Sequence, residues 1–249
     1  MAKYGKNYSG LLHKLRRALQ RHGIIDTLGL AVEHILRRIS RLRPSVRADI
    51  REGEQRAAAF DEQFGVDTAG RIHQTELNIN NPNWLHAVPY GGSDPKSFRE
   101  AIAALPIDYR RFVFIDFGSG KGRAIMLATE FPFKRIVGVE FSEELDRIAQ
   151  DNIGRYHSDI AKCKDVESIC MDALDYPLPD ECLVCYFCNP FGATIMAHVL
   201  SNIRKSFLQN PREIFIVYYN PREGHIFDES DCFKRAKTIR NIRIWMTKC

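Results

Sequence analysis

Short apolar runs alternate with helical patterns along the second half of the chain. The first run, residues 112–116, is rich in β-forming residues, and similar runs follow at 135–140, 166–171, 182–188 and 213–219. The segment 193–208 instead carries its apolar residues at helical spacing. Apolar runs separated by helices are typical of parallel strands buried on both faces, so this alternation predicts βαβ units. The tail, residues 232–247, alternates apolar and polar positions and predicts an antiparallel hairpin that closes the sheet.

The chain before the first strand predicts helices and loops. One helix is expected over 48–64 and another over 96–105. Residues 66–72 form turns by composition, and 78–90 is a loop punctuated by asparagine and proline.

Residues 1–43 carry most of the positive charge. They contain ten Lys or Arg and two acidic residues, which gives +8, so the rest of the chain carries 5 − 8 = −3. Their apolar residues fall on one face of two predicted helices, 11–19 and 28–39. Three partners suit this basic hairpin: the rest of the protein or a partner subunit, then an anionic membrane surface, and last a nucleic acid. A protein that grips nucleic acid is expected to be basic around its active-site mouth instead.

Composition indicates an ordinary globular protein. With 249 residues, of which 45% are hydrophobic and 27% charged, the chain can form one large domain or a core with a helical appendage. No apolar run reaches the length of a membrane span, and no signal-peptide pattern is present. The seven cysteines are an odd number in mostly apolar surroundings, which favours reduced thiols and a cytoplasmic location over a disulfide framework.

A glycine turn follows the first predicted strand. Asp116-Phe117-Gly118-Ser119-Gly120-Lys121-Gly122-Arg123 leads directly into a predicted helix. A strand, a glycine turn and a helix N-terminus in this order indicate a nucleotide site, since glycine lets backbone approach the ligand and the helix exposes N–H groups. A P-loop is excluded because Ile115 and Gly122 stand where it needs Gly and Ser or Thr. The dinucleotide fingerprint is excluded because Arg123 stands where its third glycine belongs.

Acidic residues end the next two predicted strands. Glu140 lies 140 − 116 = 24 residues after Asp116, where nucleotide-binding βαβ units bind both ribose hydroxyls. Asp172 follows the third predicted strand. Together with the glycine turn, this set resembles the class I methyltransferases that depend on S-adenosylmethionine (SAM), over roughly residues 110–220.

The resemblance implies a fold and a division of the chain. The expected fold is α/β, a doubly wound, mostly parallel seven-stranded sheet with an N-terminal helical extension. Residues 1–47 would be the basic helical hairpin, 48–110 a helical and loop lid on the substrate side, and 111–249 the SAM-binding methyltransferase core.

The resemblance also implies the cofactor, SAM, and the residues that bind it. Asp116 would approach the cationic amino group of the methionine part, Glu140 the ribose, and Asp172 the adenine amine. In this family the segment before the first strand commonly folds over the cofactor, which makes Tyr90 and Ser93 candidate lid residues. Lys121 is expected to face solvent. The expected cofactor-binding residues are Asp116, Gly118, Ser119, Gly120, Gly122, Glu140, Asp172, Ala173 and Tyr90.

Asn189-Pro190-Phe191 follows the fourth predicted strand, where the methyl acceptor meets the cofactor, and these three are the expected catalytic residues. They resemble, with one proline instead of two, the Asn/Asp-Pro-Pro-Tyr/Phe motif of methyltransferases that modify nitrogen. A similar Asn-Phe arrangement, with the same glycine turn and a Gly-Val-Glu strand end, occurs in non-SET lysine methyltransferases. In those enzymes the Asn oxygen accepts a hydrogen bond from the target N–H, which aims the nitrogen lone pair at the methyl group.

Cys182, Cys185 and Cys188 have the spacing of metal ligands. On a strand, however, Cys185 faces away from the other two, so the three thiols cannot converge. We therefore expect no metal.

These observations predict a SAM-dependent methyltransferase that acts on an amine nitrogen of a protein, such as a lysine side chain. One alternative is methylation of a nucleic acid or a small molecule. Another is an interaction protein that has the SAM fold but no catalysis and uses the basic hairpin. No dedicated general base is evident.

Overall fold

The computed structural model describes residues 44–72, 77 and 88–248. The predicted basic hairpin and most of the loop at 78–90 lie outside these residues. The chain divides into two compact units, Met1–Glu52 and Gly53–Cys249. The described part of the first unit belongs to helix α1 (Pro44–Phe64). The remaining elements belong to the second unit.

Two sheets are present in the described part of the chain. A small antiparallel one pairs β1 (Arg71–Ile72) with β2 (Tyr90–Gly91). The large one contains β3 (Phe112–Phe117), β4 (Arg135–Glu140), β5 (Val166–Cys170), β6 (Cys182–Phe187), β7 (Ile214–Tyr219), β8 (Phe233–Ile239) and β9 (Ile242–Thr247).

The seven strands have the spatial order β5-β4-β3-β6-β7-β9-β8. Strands β3 to β7 pair in parallel, whereas β9 pairs antiparallel with both β7 and β8. This confirms the doubly wound, mostly parallel sheet and the closing hairpin that the hydrophobic pattern predicts.

Helices connect the strands and cover the sheet. They are α2 (Pro95–Ala103), α3 (Arg123–Ala128), α4 (Glu143–Arg155), α5 (Ala193–Gln209) and α6 (Gly224–Asp228). Local capping fixes where they begin. Asp94 accepts a hydrogen bond from the Ser97 N–H at the start of α2, and the Ser142 hydroxyl accepts one from the Leu145 N–H at the start of α4.

The core lies on both faces of the sheet, which explains why the central strands are continuously apolar. Every residue of β3 is buried. Val113 and Ile115 pack in the cluster that includes Ile203 of α5, whereas Phe112 and Phe114 pack in the cluster that includes Phe98 of α2. Successive strand residues therefore contribute to opposite layers, as the period of a β-strand requires.

The strand order reverses direction at β3. From β3 the chain moves first to β4 and β5 on one side, and then returns to β6 on the other side. Helical connections on opposite sides of such a point leave a crevice at the carboxyl ends of the strands, which is where α/β sheets bind ligands. Within residues 44–72, 77 and 88–248, none of the helices combines the length and the apolar character needed to cross a bilayer.

Candidate active site

A cleft of about 680 Å³, measured out to open solvent, lies at the carboxyl ends of the central strands. Segments from three strand ends and residues 88–93, which belong to the predicted lid, line it together. The expected site residues among them are Tyr90, Asp116, Gly118, Ser119, Gly120, Glu140, Asn189, Pro190 and Phe191. The cofactor and acceptor segments of the prediction therefore share one cavity.

Three expected cofactor residues are not part of the lining. Gly122 caps α3 and lies 3.2 Å from Ala149, measured from the Cβ that it lacks. Ala173 packs in the hydrophobic core. The Asp172 carboxylate accepts a hydrogen bond from the Leu174 N–H at 2.9 Å. The structure thus gives Gly122 and Ala173 packing roles, and an adenine contact of Asp172 stays a prediction.

Glu140 is held at the end of β4 by two backbone amides. The Gly120 N–H donates to its Oε2 at 2.8 Å, and the Ser142 N–H donates to its Oε1 at 3.0 Å. Burial nevertheless raises the pKa of this carboxyl to about 7, because the ionised form loses its hydration. Each oxygen keeps a lone pair that can accept from a further donor, such as a ribose hydroxyl.

Asp116 is a buried carboxyl that lacks a donor. Its side chain is 2% exposed, and no described group donates a hydrogen bond to its Oδ1. Burial and, secondly, the neighbouring Glu140 carboxyl raise its pKa well above the usual range. A buried acceptor without a donor costs about 1–3 kcal/mol, so this position suits a ligand that brings a donor, above all a cationic one.

Gly118 and Gly120 allow two side chains to pack directly on the turn. A Cβ on Gly118 would lie 2.4 Å from Pro190 Cβ, and a Cβ on Gly120 would lie 2.3 Å from Tyr90 Cε2. Both glycines have positive φ, 76° and 55°. Their missing Cβ atoms thus make room for protein side chains, while their backbone lines the cleft, and the close approach of a ligand to that backbone stays a prediction.

Lys121 is buried, which contradicts the prediction that it faces solvent. Its side chain is 7% exposed, and its Nζ lies 2.7 Å from Asp67 Oδ1. The same Nζ lies 5.7 Å from the centre of the Tyr90 ring. The physical reason is that residues 66–72 fold over the turn, and only the tertiary structure brings Asp67 there.

Asn152 of α4 fixes this lid segment to the turn. Its Nδ2 donates to the carbonyls of Asp67 and Lys121 at 2.8 and 2.9 Å, and its Oδ1 accepts from the Asp67 N–H at 2.9 Å. Tyr90 adds a further link, because its hydroxyl donates to the Thr68 carbonyl at 2.6 Å. Hydrogen bonds from Asn152 and Tyr90 therefore join residues 66–72 to the glycine turn and to the cleft.

Asn189 lies across the cleft in an unusual backbone conformation. Its φ is 51°, in the left-handed region that asparagine tolerates better than most residues. The Tyr218 hydroxyl donates to its Oδ1 at 3.4 Å from the neighbouring strand β7. This contact orients the amide oxygen, and no pattern along the chain singles out Tyr218 for that role.

Other cleft residues escaped sequence analysis as well. Arg123 follows the glycine turn and lines the cleft, yet its position alone did not distinguish it from a solvated helix residue. Cys188 also lines the cleft, and burial raises the pKa of its thiol to about 11.

Cys185 packs in one core cluster while Cys182 and Cys188 pack against the other, which confirms that the triplet does not converge. No group of three or more potential metal ligands is present in the part of the chain that the structure describes.

The residues of the cleft fit SAM. Asp116 offers an unpaired buried carboxyl to a cationic amino group, and Glu140 offers lone pairs to ribose hydroxyls. The backbone of Gly118 and Gly120 is exposed to the cavity between them.

Comparisons with known proteins found a family match and several similar solved structures. Residues 115–209 match the family model of a methyltransferase domain. No curated protein matches the sequence. Similar solved structures include magnesium protoporphyrin IX methyltransferase from Synechocystis PCC 6803 with bound SAM, at 16% identity over 61% of this chain and 77% of that one, with a TM-score of 0.44. A second is an RNA methyltransferase from Salinibacter ruber in complex with S-adenosylhomocysteine, at 15% identity, 64% and 92% coverage and a TM-score of 0.42.

The matched segment runs from the middle of β3 to the end of α5 and so includes the glycine turn, Glu140 and Asn189. The segment that matches a methyltransferase domain therefore contains the residues that the sequence predicts for the cofactor site, which supports a SAM-dependent methyl-transfer enzyme with the class I methyltransferase fold.

Proposed function

We propose that this methyltransferase transfers the methyl group to an amine nitrogen of a protein, of the lysine type. The observation that carries the proposal is the position of Asn189: its amide lies in the same cleft as the glycine turn, and Tyr218 orients its Oδ1. An amide oxygen so placed accepts a hydrogen bond from an acceptor N–H and leaves the nitrogen lone pair free to point toward the turn.

The chemistry of the cleft favours nitrogen over oxygen as the acceptor. An alcohol needs a general base to become a good nucleophile, whereas an amine needs only to lose its proton to solvent. In the described part of the cleft, neither histidine nor lysine is among the lining residues. The two carboxyl groups are Asp116 and Glu140, and both lie on the cofactor side beside the glycine turn.

The residues around Asn189 position the acceptor rather than react with it. SAM, when bound, supplies an electrophilic methyl group on a sulfonium. Pro190 packs on Gly118, which fixes the distance between the acceptor segment and the turn. Phe191 is 9% exposed and lines the cleft, where an aromatic face excludes water from the acceptor nitrogen.

The charge distribution supports a protein acceptor over a nucleic acid. Residues 44–249 carry a net charge of −3, since the +8 of residues 1–43 exceeds the total of +5. A surface that tracks a polyanionic backbone is expected to be positive around the cleft.

Labelling with methyl-tritiated SAM tests this proposal. The purified protein is incubated with a cell lysate, and the label is divided into protease-sensitive and nuclease-sensitive fractions. We expect protease-sensitive label that resists alkali, because an N-methyl group is stable whereas a methyl ester releases methanol. Amino acid analysis should then find N-methyl-lysine. Nuclease-sensitive or alkali-labile label would overturn the proposal.

A matched pair of variants connects the label to the cleft. Asn189→Ala should abolish the label while SAM still binds. Asn220→Ala is the control, because Asn220 also has a positive φ of 49° and also precedes a proline, yet it does not line the cleft. Equal loss of label in both variants would contradict the role given to Asn189.

A further inference from the structure

A backbone hydrogen bond joins residues 88–93 to the predicted acceptor segment. The Val88 N–H donates to the Pro190 carbonyl at 3.2 Å. Both residues line the cleft, and Pro190 directly follows Asn189, whose amide oxygen is proposed above to accept a hydrogen bond from the methyl acceptor. The contact therefore engages a carbonyl oxygen next to the residue that would bind the acceptor nitrogen.

Two carbonyls of residues 88–93 are engaged in a similar way. The Cys188 thiol donates to the Gly91 carbonyl at 3.6 Å, and Arg123 Nη1 donates to the Ser93 carbonyl at 3.2 Å. Together with the Pro190 carbonyl, three backbone oxygens of residues that line the cleft are thus used to hold residues 88–93 in place.

The Asn189 side chain has one hydrogen-bonding position left on its oxygen. An amide oxygen can accept two hydrogen bonds, and the Tyr218 hydroxyl supplies one of them at 3.4 Å. The neighbouring lining residues Val88, Pro190 and Phe191 have hydrocarbon side chains, which neither donate nor accept. Around Asn189, the described residues therefore offer an acceptor nitrogen one hydrogen bond rather than two.

The number of hydrogen bonds decides how many methyl groups one nitrogen can receive. A neutral primary amine has two N–H groups, a secondary amine has one, and a tertiary amine has none. A site that binds both N–H groups disfavours a second transfer, because the first methyl replaces a bound hydrogen and leaves an oxygen without its donor. A site that binds one N–H accepts the secondary amine equally well and disfavours only the tertiary amine.

We propose that this enzyme transfers two methyl groups to the same amine nitrogen and then stops, because Asn189 Oδ1 binds a single N–H while the Val88 N–H engages the Pro190 carbonyl. The proposal rests on the proposed function, an amine acceptor, and adds its product, a dimethylated amine. In each transfer the nitrogen lone pair forms the new N–CH3 bond, and the CH3–S bond breaks with its electron pair going to sulfur. The resulting ammonium then releases one proton to solvent. The first methyl replaces an N–H that has no partner in this site, so the second transfer loses no hydrogen bond.

Counting deuterated methyl groups tests the proposal. The purified protein is incubated with a heat-treated lysate, whose own methyltransferases are inactive, and with SAM that carries a CD3 methyl group. After acid hydrolysis, mass spectrometry counts the CD3 groups on lysines that carry no unlabelled methyl. We expect doubly labelled lysine to become the major product. Triply labelled lysine should be roughly tenfold less abundant, because the tertiary amine has lost its hydrogen bond to Asn189.

Two substitutions at Val88 separate its backbone N–H from its side chain. Val88→Pro removes the N–H and releases the Pro190 carbonyl, which can then hold the second N–H of a primary amine. The ratio of the second transfer rate to the first should fall roughly tenfold, so that singly labelled lysine accumulates. Val88→Ala is the matched control, because it shortens the side chain but keeps the N–H. Its ratio should stay within about threefold of wild type.

Hydrogen exchange of the Val88 amide tests the structural premise without turnover. In the wild-type protein this amide should exchange at least roughly tenfold more slowly than an amide of an unstructured peptide, because it is hydrogen-bonded to Pro190. Exchange at the rate of an unstructured peptide would show that the Pro190 carbonyl is free, and it would overturn the proposal.

The product count gives three further outcomes that would overturn it. Wild-type product that stops at one label per lysine would do so, and so would product that proceeds to three. Neither result needs a variant, so both decide the matter even if Val88→Pro fails to fold. Equal ratios in Val88→Pro and Val88→Ala would also contradict the proposal. Label without any N-methyl-lysine is a distinct result, because it overturns the amine acceptor of the proposed function.

Discussion

Replacing Gly120 with alanine tests whether the glycine turn and the lid must pack as closely as the structure shows. The added methyl would lie 2.3 Å from Tyr90 Cε2 and 2.4 Å from its Cδ2. The backbone at this position has a φ of 55°, which alanine disfavours. The ring must therefore move, and the Tyr90 hydroxyl would lose its hydrogen bond to the Thr68 carbonyl.

The expected cost follows from these three effects. The left-handed backbone costs alanine about 1–2 kcal/mol. Overpacking of a well-packed site costs about 1–3 kcal/mol, and the lost hydrogen bond about 1 kcal/mol. Even the lower limits amount to about 3 kcal/mol, which corresponds to roughly 100-fold weaker SAM binding if the whole cost falls on the closed cleft.

A double-mutant cycle with Tyr90→Ala separates the clash from the backbone effect. Calorimetry should show that Gly120→Ala weakens SAM binding more in the wild type than in Tyr90→Ala, with a coupling free energy of about 1–2 kcal/mol. Gly154→Ala is the control, because a Cβ at Gly154 would meet nothing within 4 Å. Additive effects of the two changes, or SAM affinity within threefold of wild type in Gly120→Ala, would refute the reasoning.

Three other perturbations have defined outcomes. Asp116→Asn should raise the melting temperature of the free protein, because it removes a buried ionisable group, and should weaken SAM binding more than about tenfold; unchanged affinity in calorimetry would contradict this. Tyr218→Phe should lower kcat about fivefold with unchanged SAM affinity, because it removes the hydrogen bond that orients Asn189 Oδ1; a loss confined to SAM binding would contradict this. Burial raises the pKa of Glu140 to about 7, so its protonated form stabilises the free protein at low pH, and this contribution is lost as pH rises through 7. If ribose hydroxyls donate to the ionised form, SAM binding should strengthen from pH 6 to pH 8, and Glu140→Gln should flatten that dependence.

Sequence alone determined the fold and the location of the site. Continuous apolar runs can be buried on both faces only in a layered sheet, and glycines next to a strand end allow a turn that few other residues could adopt. Because all parallel strands end at the same edge, Asp116, Glu140 and Asn189 were predicted to meet, and the structure places all three in one cleft.

Tertiary structure decided which side chains serve that cleft. Lys121 was predicted to face solvent and Arg123 had no predicted role, but both side chains are buried. Lys121 pairs with Asp67, and one nitrogen of Arg123 has no hydrogen-bond partner among the described residues. Asn152 and Tyr218 reach the site from a helix and a neighbouring strand. Periodicity along the chain records which face of an element is buried, but it carries no information about which distant polar group is buried opposite it. The hydrophobic pattern of the sequence thus specifies the sheet. Which buried charges form pairs depends on how the segment before the first strand of the sheet folds over the glycine turn.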